Sequence, residues 1–163
     1  MERSYKFRIY PNTKQQTLIQ KTFGCARFVY NHFLAQRIAE YKETGKAPTR
    51  FQQDKSLTVL KQEINWLREP DKCALQNALK DLDAAYKNFF RSLKSGGKVG
   101  FPKFKSKKDR HKSYKTNSCI QIVGNHIKLP KLGLVKCRVS KEVKGRILSA
   151  TVSQNPSGKY FVA

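Results

Sequence analysis

One strand-like segment opens this chain, and only helical periodicity follows it for a long way. Residues 3–10, RSYKFRIY, alternate: Tyr5, Phe7 and Ile9 share one face, Lys6, Arg8 and Tyr10 the other. That period of two is the mark of a strand. A strand cannot stand alone, because its N–H and C=O groups need a ladder. The next segments with strand periodicity come only after residue 117. The two ends of the chain must therefore meet, with everything between them inserted.

Pro11 ends the first segment. Asn12 and Thr13 suit a helix N-cap, and Gln15 and Gln16 stand three residues on, as in a capping box. Ile19, Phe23, Ala26, Tyr30, Phe33, Leu34, Ile38 and Tyr41 then keep helical spacing, up to Gly45 and Pro48. A second helix is predicted within 51–67, its stripe made of Leu57, Leu60, Ile64 and Leu67. Pro70-Asp71 opens a third, with Ala74, Leu75, Ala78, Leu82, Ala85, Tyr86, Phe89 and Leu93 on its apolar face and Gly96-Gly97 at its end. Three amphipathic helices with short links pack as a small bundle.

Beyond 117, CIQIV, HIKL, LVKCRV, RILSATVS and KYFVA read as strands. Turns are expected at Gly124-Asn125, Gly133, Gly145 and 155–158. The expected fold is α+β, a β-barrel with a helical insertion. No internal repeat is visible. KYFVA runs to the last residue with no closing turn, so the sequence reads as cut inside its final strand.

The net charge is +23 over 163 residues, and it is uneven. Residues 1–84 hold 15 basic and 9 acidic side chains, a net of +6, whereas residues 85–163 hold 19 and 2, a net of +17. Such self-repulsion disfavours compactness unless a polyanion screens it. Nucleic acid is the natural polyanion. A membrane surface would call for a basic amphipathic helix or a lipidation signal, and the sequence offers neither. No signal peptide or membrane-spanning run is evident, and a cytoplasmic protein is expected. Cys25, Cys73, Cys119 and Cys137 form no C-x-x-C pair, and with scattered His32, His111 and His126 they argue against a zinc site.

Catalysis has little support. Asp81 and Asp83 lie two apart on a helix, point in different directions and read as a solvated face. There is no glycine-rich phosphate loop and no Ser/His/Asp set. Nucleic-acid binding has more. Residues 97–117, GKVGFPKFKSKKDRHKSYKTN, carry eight lysines and arginines, one acid (Asp109) and three aromatics. Cations neutralise phosphates, and aromatics between them can stack on unpaired bases. Phe101 and Phe104 can equally pack on the helices, with Pro102 fixing the chain, and the two uses can coexist. Arg27 and Asn31, one turn apart, suit phosphate and base-edge contact, or a helix surface with a local hydrogen bond. Lys72 and Gln76 form a similar pair.

Several runs resemble the TnpB (OrfB) family of insertion-sequence accessory transposases. They are R-I-Y-P-N at 8–12, Gln15-Gln16, G-C-A-R-F-V-Y-N at 24–31, D-K-C-A-L-Q-N-A-L at 71–79, Y-K-N-F-F at 86–90, G-F-P-K-F-K at 100–105 and I-K-L-P-K-L-G at 127–133. The set spans nearly the whole chain. The resemblance implies the N-terminal half of an RNA-guided DNA endonuclease: a wedge-type oligonucleotide-binding β-barrel interrupted by a three-helix recognition lobe. It implies guide RNA and duplex DNA as partners, without a membrane or small-molecule substrate, in a bacterial or archaeal cytoplasm at the nucleoid. By the same resemblance, positions like Lys72, Gln76 and Thr116 would face the DNA motif flanking the target. The family's RuvC-like nuclease with its metal-binding acids, and its zinc ribbon, would lie downstream of Ala163. The chain is thus expected not to be an enzyme and to hold no cofactor, with magnesium and zinc belonging to the other half. The alternatives are a stand-alone helix-turn-helix-like DNA-binding regulator, or a transposase active only with that half.

The expected segments are 1–11 (first barrel strand), 12–97 (helical lobe), 98–117 (basic connector) and 118–163 (remaining barrel strands). The candidate nucleic-acid contacts are Arg8, Arg27, Asn31, Lys98, Phe101, Lys103, Phe104, Lys105, Lys107, Lys108, Arg110, Lys112, Tyr114 and Lys115, with no catalytic and no metal-ligating residue.

Overall fold

The computed structural model describes residues 2–98 and 100–163. Met1 and Val99, which fall within the segments 1–11 and 98–117, lie outside the described residues. Strand β1 (Phe7–Tyr10) leads into α1 (Thr13–Thr44), α2 (Arg50–Glu63), a 3-10 turn (Asn65–Arg68) and α3 (Lys72–Lys94). Six strands follow: β2 (Lys112–Thr116), β3 (Gln121–Val123), β4 (His126–Leu129), β5 (Gly133–Cys137), β6 (Ala150–Gln154) and β7 (Tyr160–Val162). They form one seven-stranded sheet in the order β2-β6-β7-β1-β5-β4-β3, with every adjacent pair antiparallel. The fold is α+β. β1 finds both partners at the far end of the sequence, Phe7 opposite Val162 and Ile9 opposite Cys137.

Local chemistry sets the helix ends. Asn12 accepts from the Gln15 N–H at 2.8 Å, and the Gln15 side chain accepts from the Asn12 N–H at 3.0 Å. The same Gln15 amide donates to the carbonyls of Leu132 (3.2 Å) and Leu134 (2.8 Å), tying the cap to the β4–β5 turn. Gly45 ends α1 at φ 73°, a left-handed conformation open to glycine at little cost. α1 is 32 residues, about 48 Å long, and it joins two cores. Ile19 and Phe23 enter the sheet core beside Ile9, Val135, Val152 and Val162. Val29, Phe33 and Leu34 enter a helical core with Leu57, Leu67, Leu75, Leu79 and Leu82.

The structure departs from the sequence reading in three places. The helix expected over 51–67 breaks at Ile64, whose backbone turns extended (φ −113°, ψ 96°), and the 3-10 turn then sends Leu67 inward and Trp66 outward. The strand expected from residue 146 starts only at Ala150, which pairs with Thr116, the last residue of β2. That partner, β2, sits inside the lysine-rich segment. Tyr114 and Thr116 face inward while Ser113 and Lys115 face water, and β2 lies at the sheet edge, where lysine is tolerated and discourages edge pairing.

Candidate nucleic-acid interface

The basic segment is pinned at three points. Phe101 meets the rings of Tyr86 and Phe89 nearly perpendicularly, both at 5.4 Å, and Pro102 beside it is buried. The Asn31 side chain accepts from the Lys105 N–H (2.7 Å) and donates to the Lys105 carbonyl (2.9 Å). The Lys105 ammonium then lies over the Tyr30 ring at 4.5 Å. Further on, Asn77 of α3 donates to the Lys115 carbonyl at 2.9 Å. The Thr116 hydroxyl donates to Asp71, the residue that also caps α3 through the Cys73 N–H.

These pins leave a crevice of about 140 Å³ between α1, α3, the connector and β2. Phe23, Ala26, Ala74 and Ala78 are among its apolar walls. Arg27, Lys105, Lys112 and Lys115 converge on it from α1, the connector and β2, and Asp81 and Asp109 are its acids. Asp81 is exposed as a residue, but partial desolvation in the crevice wall pushes its carboxyl above the usual carboxylate range, and Lys105 and Lys115 pull it part of the way back. Burial, and then Asp81, raise the Tyr30 phenol. Among the described residues, none of the lysines or arginines from 98 to 115 forms an ion pair. Lys105 and Lys115 act on Asp81, and the exposed cations of the connector are open to an external anion.

The candidate residues divide by place. Arg27, Lys105, Lys112 and Lys115 line the crevice, and Asn31 positions Lys105. Lys98, Lys103, Phe104, Lys107, Lys108 and Arg110 are exposed along the connector, Phe104 at 55%. Lys107 and Lys108 ride a turn that the Asp109 N–H closes on the Ser106 carbonyl (3.2 Å). Lys72 and Gln76 are exposed on the first turns of α3, and Lys80 extends their row. Arg8 stands apart on β1, three strands from β2 in the sheet, with its guanidinium over Tyr10. Tyr114 and Thr116 are buried, at 6% and 1% exposure. The Tyr114 ring packs against Phe23, and Tyr114 is also among the residues lining the crevice.

Sequence reasoning missed three contributors. Asp81 is exposed, as expected of a solvated face, but it also lines the crevice wall, which a two-residue spacing from Asp83 could not reveal. Asn77 binds a backbone carbonyl 38 residues away, a contact without a local signal. Asp83 is half-buried rather than solvated, pairing with Arg37 (3.3 Å) and Lys87 (3.1 Å). Burial opposes its charge, but hydrogen bonds from Lys87 and Arg37 outweigh this and hold its carboxyl below the usual range. Among the described residues, no group of three or more His, Cys, Asp or Glu side chains converges as a metal set would. No helix of the described chain is long and apolar enough to cross a membrane.

The family HTH_OrfB_IS605, described as a helix-turn-helix domain, matches residues 1–46, which hold β1 and α1. The chain is 32% identical to the "Putative RNA-guided DNA endonuclease InsQ" of Escherichia coli (strain K12), over 98% of this chain and 39% of that protein. It is 30% identical to a "Putative RNA-guided DNA endonuclease" of Streptomyces pristinaespiralis, over its full length and 41% of the relative. It is also 33% identical to the "Virulence protein VsdF" of Salmonella dublin, over 66% of this chain and 95% of that one. The chain thus spans about two fifths of the length of the two endonuclease-named relatives.

Proposed function

The chain belongs to the TnpB (OrfB) family of transposase-associated proteins, and from that premise we propose that it binds guide RNA and target-flanking duplex DNA without cutting either. One observation carries the reading: Arg27, Lys105, Lys112 and Lys115 converge from three parts of the fold on a single crevice. A phosphate placed there meets several cations at once, and the apolar walls limit the water that competes for them. The seven-stranded sheet acts as the wedge-type barrel and the three helices as the recognition lobe. Lys72 and Gln76, exposed where α3 begins, touch base edges of the flanking motif.

In this reading binding needs no metal and leaves the DNA uncut. The test titrates the protein against structured RNA and duplex DNA at rising salt, with magnesium or with chelator. Steep salt dependence, equal affinity in chelator and uncut DNA are expected. Affinity that ignores salt, or DNA cut in magnesium, would sink the proposal.

The helix-turn-helix description of residues 1–46 favours a second reading, a regulator that reads duplex DNA without RNA. It predicts tight sequence-specific duplex binding by the protein alone, whereas the first reading predicts motif preference only once guide RNA is bound.

A further inference from the structure

α3 outlasts the core it serves. Its last buried apolar residue is Tyr86, and one turn on Phe90 is 55% exposed and Leu93 60%. Phe90 lies along Tyr86, 6.3 Å between ring centres at an angle of 26°, and touches Phe89 at 5.4 Å. Phe101 joins the same group from the connector and remains 45% exposed. Scattered exposed apolar residues are ordinary, but a contiguous ridge marks a contact surface.

The charge around the ridge selects its occupant. From Ala84 to Lys108 the sequence holds eight lysines and arginines and no acid. Arg91 and Lys94 flank Phe90 on the helix, and Lys98 and Lys103 flank Phe101 on the connector. A second copy of a +23 chain is repelled from such a rim. Single-stranded nucleic acid offers phosphates for the rim and open base faces for the rings. A duplex offers only the phosphates.

We propose that Phe90, Leu93 and Phe101 form a stacking site for unpaired nucleobases, set between cations that hold the flanking phosphates. The site rests on the nucleic-acid reading above and adds a preference to it: unpaired bases over paired ones. Phe90 and Leu93 lie outside both buried cores, and Phe90 meets Tyr86 and Phe89 at the surface, so their replacement should disturb the fold little.

The test compares wild type, Phe90→Ser/Leu93→Ser and Phe90→Trp by fluorescence anisotropy. The probes are a labelled single strand, its abasic counterpart with the same phosphates, and the matching duplex. Wild type should bind the intact strand more tightly than the abasic one. The serine variant should bind the intact strand roughly tenfold more weakly and the duplex as wild type does. Phe90→Trp should keep single-strand affinity and show quenched emission in the complex. Wild-type affinity of the serine variant for the intact strand would overturn the stacking site. So would equal loss on strand and duplex, or a wild-type dimer that the serine variant dissolves. Wild-type protein that binds no probe would overturn the nucleic-acid reading itself, and this site with it.

Discussion

Asn31 grips Lys105 by both of its backbone groups, 2.7 Å to the N–H and 2.9 Å to the carbonyl. The amide stands in for a neighbouring strand, and a segment that would otherwise be a free basic linker becomes a strap on α1. Its ammonium then has a fixed place over Tyr30 and at the crevice. A helix residue thereby sets where a connector charge can act.

Replacing Asn31 with Ala removes both bonds. They lie near water, so the stability loss should be modest, about 1–2 kcal/mol. The local effect should be larger. Trypsin should cut after Lys103 and Lys105 sooner than in wild type, and phosphate affinity should fall although no charge was removed. Unchanged cleavage would show that Phe101 and Pro102 suffice to hold the strap.

Much of this could be read beforehand, for reasons particular residues make plain. Asn12 with Gln15 is a capping box written in four consecutive positions. β1 declared its distant partners by having no near ones. β2 was illegible because its signal, Tyr114 and Thr116 inward, is two residues deep in a lysine run. The crevice was illegible because its walls come from Arg27, Asp81 and Lys115, which periodicity cannot relate. The exposed turn at Phe90 was hidden too, since an apolar stripe does not say where its core ends.

Replacing Lys103, Lys105, Lys107 and Lys108 with Ala should weaken binding to all sequences alike and flatten its salt dependence. The log–log slope on duplex DNA should drop by about 0.9 for each phosphate that a lysine no longer neutralises. With guide RNA bound, Gln76→Ala should behave oppositely, altering preference among motifs and leaving the slope unchanged. If the two sets of variants gave the same pattern, the division between gripping and reading residues would be wrong.

Asp81 places a carboxylate beside the lysines that would hold phosphate, and burial already raises its pKa. An incoming phosphate raises it further, so binding takes up a proton and affinity should climb as pH falls. Asp81→Asn should bind more tightly at pH 7 and lose that part of the pH dependence. The difference between the two proteins isolates Asp81 from His111 and Asp109, which share the crevice. As a group whose folded pKa is raised, Asp81 lends its stability below about pH 4 and loses it as pH rises, so the Asn variant should be no less stable at pH 7.

Asp83 has the reverse sign. Its folded pKa lies below the ordinary value, so its contribution is full above about pH 4 and vanishes as pH falls through the lowered value. Asp83→Asn should therefore flatten the acid limb of stability. Arg37→Ala should cost more, about 3 kcal/mol at neutral pH, because Arg37 is 6% exposed and also donates to Gln53 at 2.8 Å. Urea melts across pH 2–7 give both numbers.

Thr116 is the sharpest test of how a buried residue can matter to motif reading. Its hydroxyl donates to Asp71, and Asp71 fixes the start of the helix that displays Lys72 and Gln76. Thr116→Val keeps the shape and strands one Asp71 oxygen in a site only 6% exposed, at a cost of about 1–3 kcal/mol. Thermal melting should shift down by several degrees, and Thr116→Ser should restore it. If Thr116 acts through Asp71, motif preference should blur in the Val variant and recover in the Ser variant along with the melting temperature. Blurred preference at an unchanged melting temperature would instead require direct contact with DNA, and hence a conformation in which β2 leaves α3.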